Sequence, residues 1–141
     1  MIIMSVDVGT NRTGVACCDK NEFLASPVCV INETNLRKCV NKVAEIAKER
    51  KVEEIVVGLP KNMQNEVTEW TEKCQFFAEE LAKRVTCNVR LWDERFTTSA
   101  AIGYLNVTNT RGKKRKDAVD ALAATIILEN YLDFRKNQAT P

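Results

Sequence analysis

The sequence predicts a single α/β domain, in which an antiparallel three-strand meander runs into parallel strands joined by helical crossovers. Three observations predict it. Two tight turns separate three apolar runs in the first third of the chain. Beyond them, strand-like and helix-like patterns alternate, which favours parallel pairing through helices. The 141 residues are 45% hydrophobic and 28% charged, which suits one soluble domain with a core of its own.

The elements follow in order. Residues 2–8 are apolar enough for a buried strand, and Gly9-Thr10-Asn11-Arg12-Thr13-Gly14 is turn chemistry. Residues 15–18 continue into a second strand, Asp19-Lys20-Asn21-Glu22 turns, and residues 23–31 offer a third. Leu36, Val40, Val43 and Ala47 recur at helical offsets of four, three and four, with charged residues between them. Residues 52–58 read as a short strand ending at a glycine, and Leu59-Pro60-Lys61-Asn62 as a loop. A second helix over 68–84 carries the apolar stripe Trp70, Cys74, Phe77, Leu81 and Val85. Residues 89–92 form the next strand, 97–105 a short helix, and 117–134 the last helix, with 135–141 a polar, frayed tail. No repeat or second domain interrupts the pattern, so one domain spans 1–141.

Composition excludes several chemistries. There is no histidine, so no Ser-His-Asp or Cys-His arrangement can exist. The six cysteines, Cys17, Cys18, Cys29, Cys39, Cys74 and Cys87, include no C-x-x-C pair, which disfavours zinc and favours small buried hydrophobes in a reducing compartment. Adjacent Cys17 and Cys18 are expected on opposite faces of a strand. No apolar run approaches the roughly 18 to 20 residues that span a bilayer, and no export leader is evident, so a cytoplasmic protein without a membrane partner is expected.

What remains for catalysis is a set of scattered acids. Asp7 sits in the apolar run of the first strand, Asp93-Glu94 ends the run Val89-Arg90-Leu91-Trp92, and Asp120 lies in a strong helix. A carboxylate among apolar neighbours is costly unless paired, hydrogen-bonded or bound to a cation. Asp120 shares a helix face with Ala123, Ala124 and Ile127, small and apolar enough to lie close on a sheet that also carries Asp7. Converging, Asp7, Glu94 and Asp120 would suit one or two magnesium or manganese ions, which take oxygen ligands and promote phosphodiester hydrolysis. Taken singly, each acid has an ordinary reading as a cap, as a Glu94–Arg95 pair or as a helix surface residue.

Cationic groups surround these acids in the sequence. Thr10 and Arg12 bring a hydroxyl and a guanidinium beside Asp7, and the guanidinium fork suits phosphate. Lys61 follows a strand end whose backbone could cradle a phosphate oxygen. Arg111, Lys113, Lys114, Arg115 and Lys116 place five positive charges in six residues, read as a loop between two helical patterns that would draw a polyanion towards the acids.

Four segments together resemble the YqgF/RuvX family of Holliday junction resolvase-like proteins and pre-16S ribosomal RNA nucleases. They are Asp7-Val8-Gly9-Thr10-Asn11-Arg12-Thr13-Gly14-Val15-Ala16, Val56-Val57-Gly58-Leu59-Pro60-Lys61-Asn62-Met63, Trp92-Asp93-Glu94-Arg95-Phe96-Thr97-Thr98 and the stretch from Val119 through Asp120 to Leu128. D-x-G-T alone also occurs in actin-like ATPases, which need two duplicated domains; four motifs in register are far more specific. The resemblance implies a ribonuclease H-like fold, with a five-stranded mixed sheet of three antiparallel and two parallel strands flanked by helices. It also implies a two-ion Mg2+ or Mn2+ centre held by Asp7, Glu94 and Asp120. Asp93 is an alternative to Glu94, since strand neighbours point opposite ways, and Asp117 is a possible fourth acid. Thr10, Arg12, Lys61, Arg95 and the basic run are the expected nucleic-acid contacts. The implied partners are structured RNA, including ribosomal precursor particles, or branched DNA, bound by a monomer or homodimer. A non-catalytic nucleic-acid-binding module on the same fold is the rival reading.

Overall fold

The computed structural model describes the backbone of residues 1–59, 69–93 and 112–139, and the side chains of 1–58, 71–92 and 122–137. Five strands, β1 (Ile3–Asp7), β2 (Arg12–Cys18), β3 (Ala25–Asn32), β4 (Glu54–Leu59) and β5 (Asn88–Asp93), form one sheet in the order β3-β2-β1-β4-β5. β1, β2 and β3 are an antiparallel meander, while β4 joins β1, and β5 joins β4, in parallel. Helices α1 (Leu36–Glu49) and α2 (Glu69–Ala82) cover one face, and α3 (Gly112–Ala139) covers the other, packing on β1, β2 and β3. This is the ribonuclease H-like architecture expected from the sequence.

Strand alternation divides the core in two. Met4, Val6 and Val8 point to the α1/α2 side, with Val40, Val43, Phe77 and Leu81. Ile3 points to the α3 side, with Ala16, Val56, Ala124, Ile127, Leu128 and Tyr131. Phe77 and Leu81 are fully buried, each contributing about 1.5–3 kcal/mol of transfer free energy. Cys17 joins the first cluster and Cys18 the second, as their adjacency requires. All six cysteines are free, and burial pushes the Cys17 thiol up to about 11, which keeps it protonated and inert.

Helix ends show the expected local chemistry. Asn35 caps α1, its Oδ1 accepting from the Lys38 amide at 3.0 Å. Past the other end Lys51 takes φ 55, the left-handed conformation, and the Val52 amide returns to the Ala47 carbonyl at 2.9 Å.

Several boundaries differ from those predicted. Arg12, Thr13 and Gly14 belong to β2 rather than to a turn, because Arg12 pairs with Asn32 and the Glu33 amide bonds the Asn11 carbonyl, extending the ladder. Leu59 closes β4 opposite Asp93 instead of opening a loop. The basic residues Lys113, Lys114, Arg115 and Lys116 are helical, not a loop: Lys and Arg are good helix formers, and neither Gly nor Pro follows before residue 139. The helix also runs through 135–139, where Arg135 is tied to Glu22 at 2.8 Å, so this stretch is not frayed. The predicted helix over 97–105 lies outside the described residues.

Candidate active site

Asp7 is the last residue of β1, half-buried, with Gly14 of β2 as its partner in register. It shares the α3 side of the sheet with Ile3 and Ser5. Ser5 is fully buried, and its Oγ donates to the Ala124 carbonyl of α3 at 2.5 Å. Further back, the Tyr131 hydroxyl donates to Glu54 Oε1 at 2.9 Å, and Glu54 stands opposite Ile3. These two ties orient α3 antiparallel to β1. From Ser5 to Asp7 the strand advances about 6.6 Å. From Ala124 back to Asp120 the helix retreats one turn, about 6 Å. The backbones of Asp7 and Asp120 therefore draw level at one end of the sheet. Asp117 lies most of a turn beyond.

The parallel strands bring the third acidic segment to the same end. Val57 pairs with Val6, and Gly58 with Trp92, so the row through Asp7 crosses Gly58 and Trp92. Asp93 follows, opposite Leu59.

The turn after Asp7 is tight. The Gly9 amide donates to Thr13 Oγ1 at 3.4 Å, and a Cβ built on Gly9 would collide with the Arg12 carbonyl oxygen. Thr10 is exposed at the tip and Arg12 half-buried at the head of β2. For Asp93, Asp117, Asp120, Lys113, Lys114, Arg115 and Lys116 the backbone position alone is described, and Lys61, Glu94, Arg95 and Arg111 lie outside the described residues. Among the described residues no group of three His, Cys, Asp or Glu side chains could hold a metal ion; of the three predicted ligands only the Asp7 side chain is among them.

Sequence reasoning missed the residues that hold α3 in place. Ser5 could have been found as the one hydroxyl in the apolar first strand, two positions from Asp7. Glu54 is buried, and its charge is met by Arg90 Nε at 3.4 Å and an Arg135 terminal nitrogen at 3.7 Å. Arg90 also lies 5.6 Å from the Tyr131 ring centre, and Trp92 meets that ring edge-on at 5.2 Å. Burial, and then the adjoining Glu54 carboxylate, push the Tyr131 hydroxyl above its usual range, so it remains a donor. Tyr131→Phe is expected to leave the fold intact but cost about 1–3 kcal/mol, because Glu54 Oε1 loses its shortest hydrogen bond in a buried setting. A denaturant melt checks this, and an unchanged midpoint would show that Arg90 alone satisfies that oxygen.

Comparison with known proteins agrees with this architecture. The family model described as "RuvX: Holliday junction resolvase" matches residues 1–134. The chain belongs to the RuvX family. A relative from Listeria innocua is 44% identical over 135 residues, covering 94% of this chain and 98% of its own. Another from Caldanaerobacter subterraneus subsp. tengcongensis is 40% identical over 139 residues, covering 97% and 99%. Both carry the name "Putative pre-16S rRNA nuclease". Among solved structures, Thermus thermophilus RuvC in complex with Holliday junction substrate superposes with a TM-score of 0.63 at 14% identity, covering 100% of this chain and 99% of its own. The fowlpox virus resolvase with Holliday junction DNA gives 0.58 at 14%, covering 96% and 99%. These two likenesses are of fold. This RuvX-family chain is thus a member of a nuclease family, whose enzymes hydrolyse ester bonds. No helix among its described residues is long and apolar enough to cross a membrane.

Proposed function

We propose that this chain is a divalent-metal-dependent nuclease of structured nucleic acid, acting in maturation of the 5′ end of the 16S ribosomal RNA precursor. The observation that carries the reading is the levelling of Asp7 with the Asp120 backbone by the Ser5–Ala124 bond. Arg90 and Trp92 lie on the α3 side of β5, and of the acidic pair that follows them Glu94 is taken as the third ligand, with Asp93 its alternative. Asp7, Asp120 and Glu94 are therefore the proposed ligands, with Asp117 the reserve. Their oxygens fit magnesium or manganese, and no histidine or C-x-x-C pair competes for a softer ion. When bound, the ions supply charge that activates water and stabilises the leaving oxygen of a phosphodiester.

The chain's own groups have distinct tasks. Arg12 and Thr10 hold phosphate oxygens beside Asp7, and Lys61 and Arg95, which follow β4 and β5 in the sequence, are proposed as further phosphate contacts. Lys113, Lys114, Arg115 and Lys116 occupy the first turns of α3, where the helix dipole is itself positive. With Arg111, which precedes them in the sequence, their charges are proposed to attract a polyanionic backbone. The relatives' names support ribosomal RNA as substrate; the family's description supports a four-way DNA junction as the second reading.

Precursor ribosomal RNA and four-way DNA junctions, offered in parallel with and without manganese, test the reading. Manganese-dependent cutting of the RNA is expected. Salt-sensitive binding with no cutting of either substrate would leave a binding module instead. Replacing Lys113, Lys114, Arg115 and Lys116 by Gln is expected to weaken binding to all sequences alike. The slope of log affinity against log salt should flatten by roughly 0.7 to 0.9 for each phosphate that the protein no longer neutralises, and an unchanged slope would remove the run from the interface.

A further inference from the structure

A cavity of about 130 Å³ lies beside the tight turn that follows Asp7, enclosed by that turn, the start of α1 and Lys73 of α2. Val8, Leu36 and Cys39 give it apolar walls, and Thr13, Glu33 and Lys73 bring polar groups to it. We propose that it receives the base of a nucleotide flanking the phosphate that is cut. The inference rests on the nuclease reading for what passes over the end of the sheet.

Position argues first. Val8 and Gly9 line the cavity and directly follow Asp7. Alternation sends Asp7 to the α3 side and Val8 to the α1/α2 side. A nucleic-acid strand crossing the end of the sheet would thus lay a phosphate over Asp7 and turn the adjoining base over the edge into the cavity. Chemistry argues second. A base has apolar faces and a hydrogen-bonding edge, which match mostly apolar walls with a few polar groups. A phosphate matches less well, because Glu33 lines the same space and its negative charge offsets that of Lys73. The polar groups are also held in place. Thr13 is buried and accepts from the Gly9 amide, and Glu33 Oε2 accepts from the Asn35 amide at 3.1 Å. Recognition of unstacked bases in such recesses is how single-stranded RNA is commonly read.

The four nucleoside 5′-monophosphates, titrated one at a time into the isotope-labelled full chain, test this. At least one is expected to shift the amide resonances of Val8, Gly9, Thr13 and Cys39 together. Leu36→Trp, which fills the cavity, should weaken that binding at least tenfold while leaving the rest of the spectrum unchanged. Should Leu36→Trp fail to fold, Lys73→Met provides the second arm, with at least a threefold loss expected. The proposal is overturned if none of the four shifts those amides at millimolar concentration, or if the shifts persist undiminished in the folded variants. The two readings fail separately. Cleavage of RNA or junctions without these shifts removes the base site alone, and the shifts without cleavage of any substrate remove the nuclease and leave a base-binding recess.

Discussion

Asp7→Asn is expected to abolish metal-dependent cleavage, a loss on the order of a thousandfold or more, with little change in stability. The substitution keeps the shape of the side chain and removes its charge. If Asp7 is a metal ligand as proposed, withdrawing its charge from a site that supplies several kcal/mol of charge stabilisation accounts for a loss of that size, at about 1.4 kcal/mol per tenfold. Stability should hold because Asp7 is half-buried at a strand end, while the ladder through Met4, Ser5 and Val6 does not involve its side chain. Cleavage rates at saturating manganese and a thermal melt, measured side by side, check both halves. Wild-type rates in the variant would take Asp7 out of the mechanism, and a collapsed melting temperature would make the lost activity uninformative.

Gly9→Ala should damage both fold and activity. The added methyl meets the Arg12 carbonyl oxygen, a backbone atom that cannot swing aside as a side chain would. Relief requires the β1–β2 turn to open, at a cost on the order of 1–3 kcal/mol of local strain. Opening it also moves Asp7 and Arg12 apart, and a displacement of roughly 1 Å in a catalytic constellation costs about a hundredfold in rate. The expected pattern is a modest fall in melting temperature with a much larger fall in cleavage. A variant with wild-type activity would show that the turn relaxes without disturbing Asp7.

The architecture was legible because its cues are local. Three apolar runs with turns between them specify the meander, and the 3.6-residue spacing of Val40, Val43 and Ala47 specifies a buried helix face. The four family segments fixed the order of the acids along the chain. What escaped was set by partners distant in sequence. Ser5 looked like one more residue of an apolar strand, because its partner Ala124 lies 119 residues away. The charge of Lys113 to Lys116 concealed their helix propensity, and Arg12 to Gly14 read as a turn because the pairing of Arg12 with Asn32 has no signal in the segment itself. Glu54 drew no notice within the short strand at 52–58; its burial depends on Tyr131, Arg90 and Arg135 arriving from later elements.

The placement of α3 has a consequence for synthesis. The first strands leave the ribosome with Ile3, Ala16 and Val56 bare on one side, and nothing covers them until the final helix has been made. That same helix carries Asp120, so under the proposed function closing the core and completing the metal centre would be a single event. A half-made chain is therefore greasy on one flank until its last helix docks, and under the proposed function it is also silent until then.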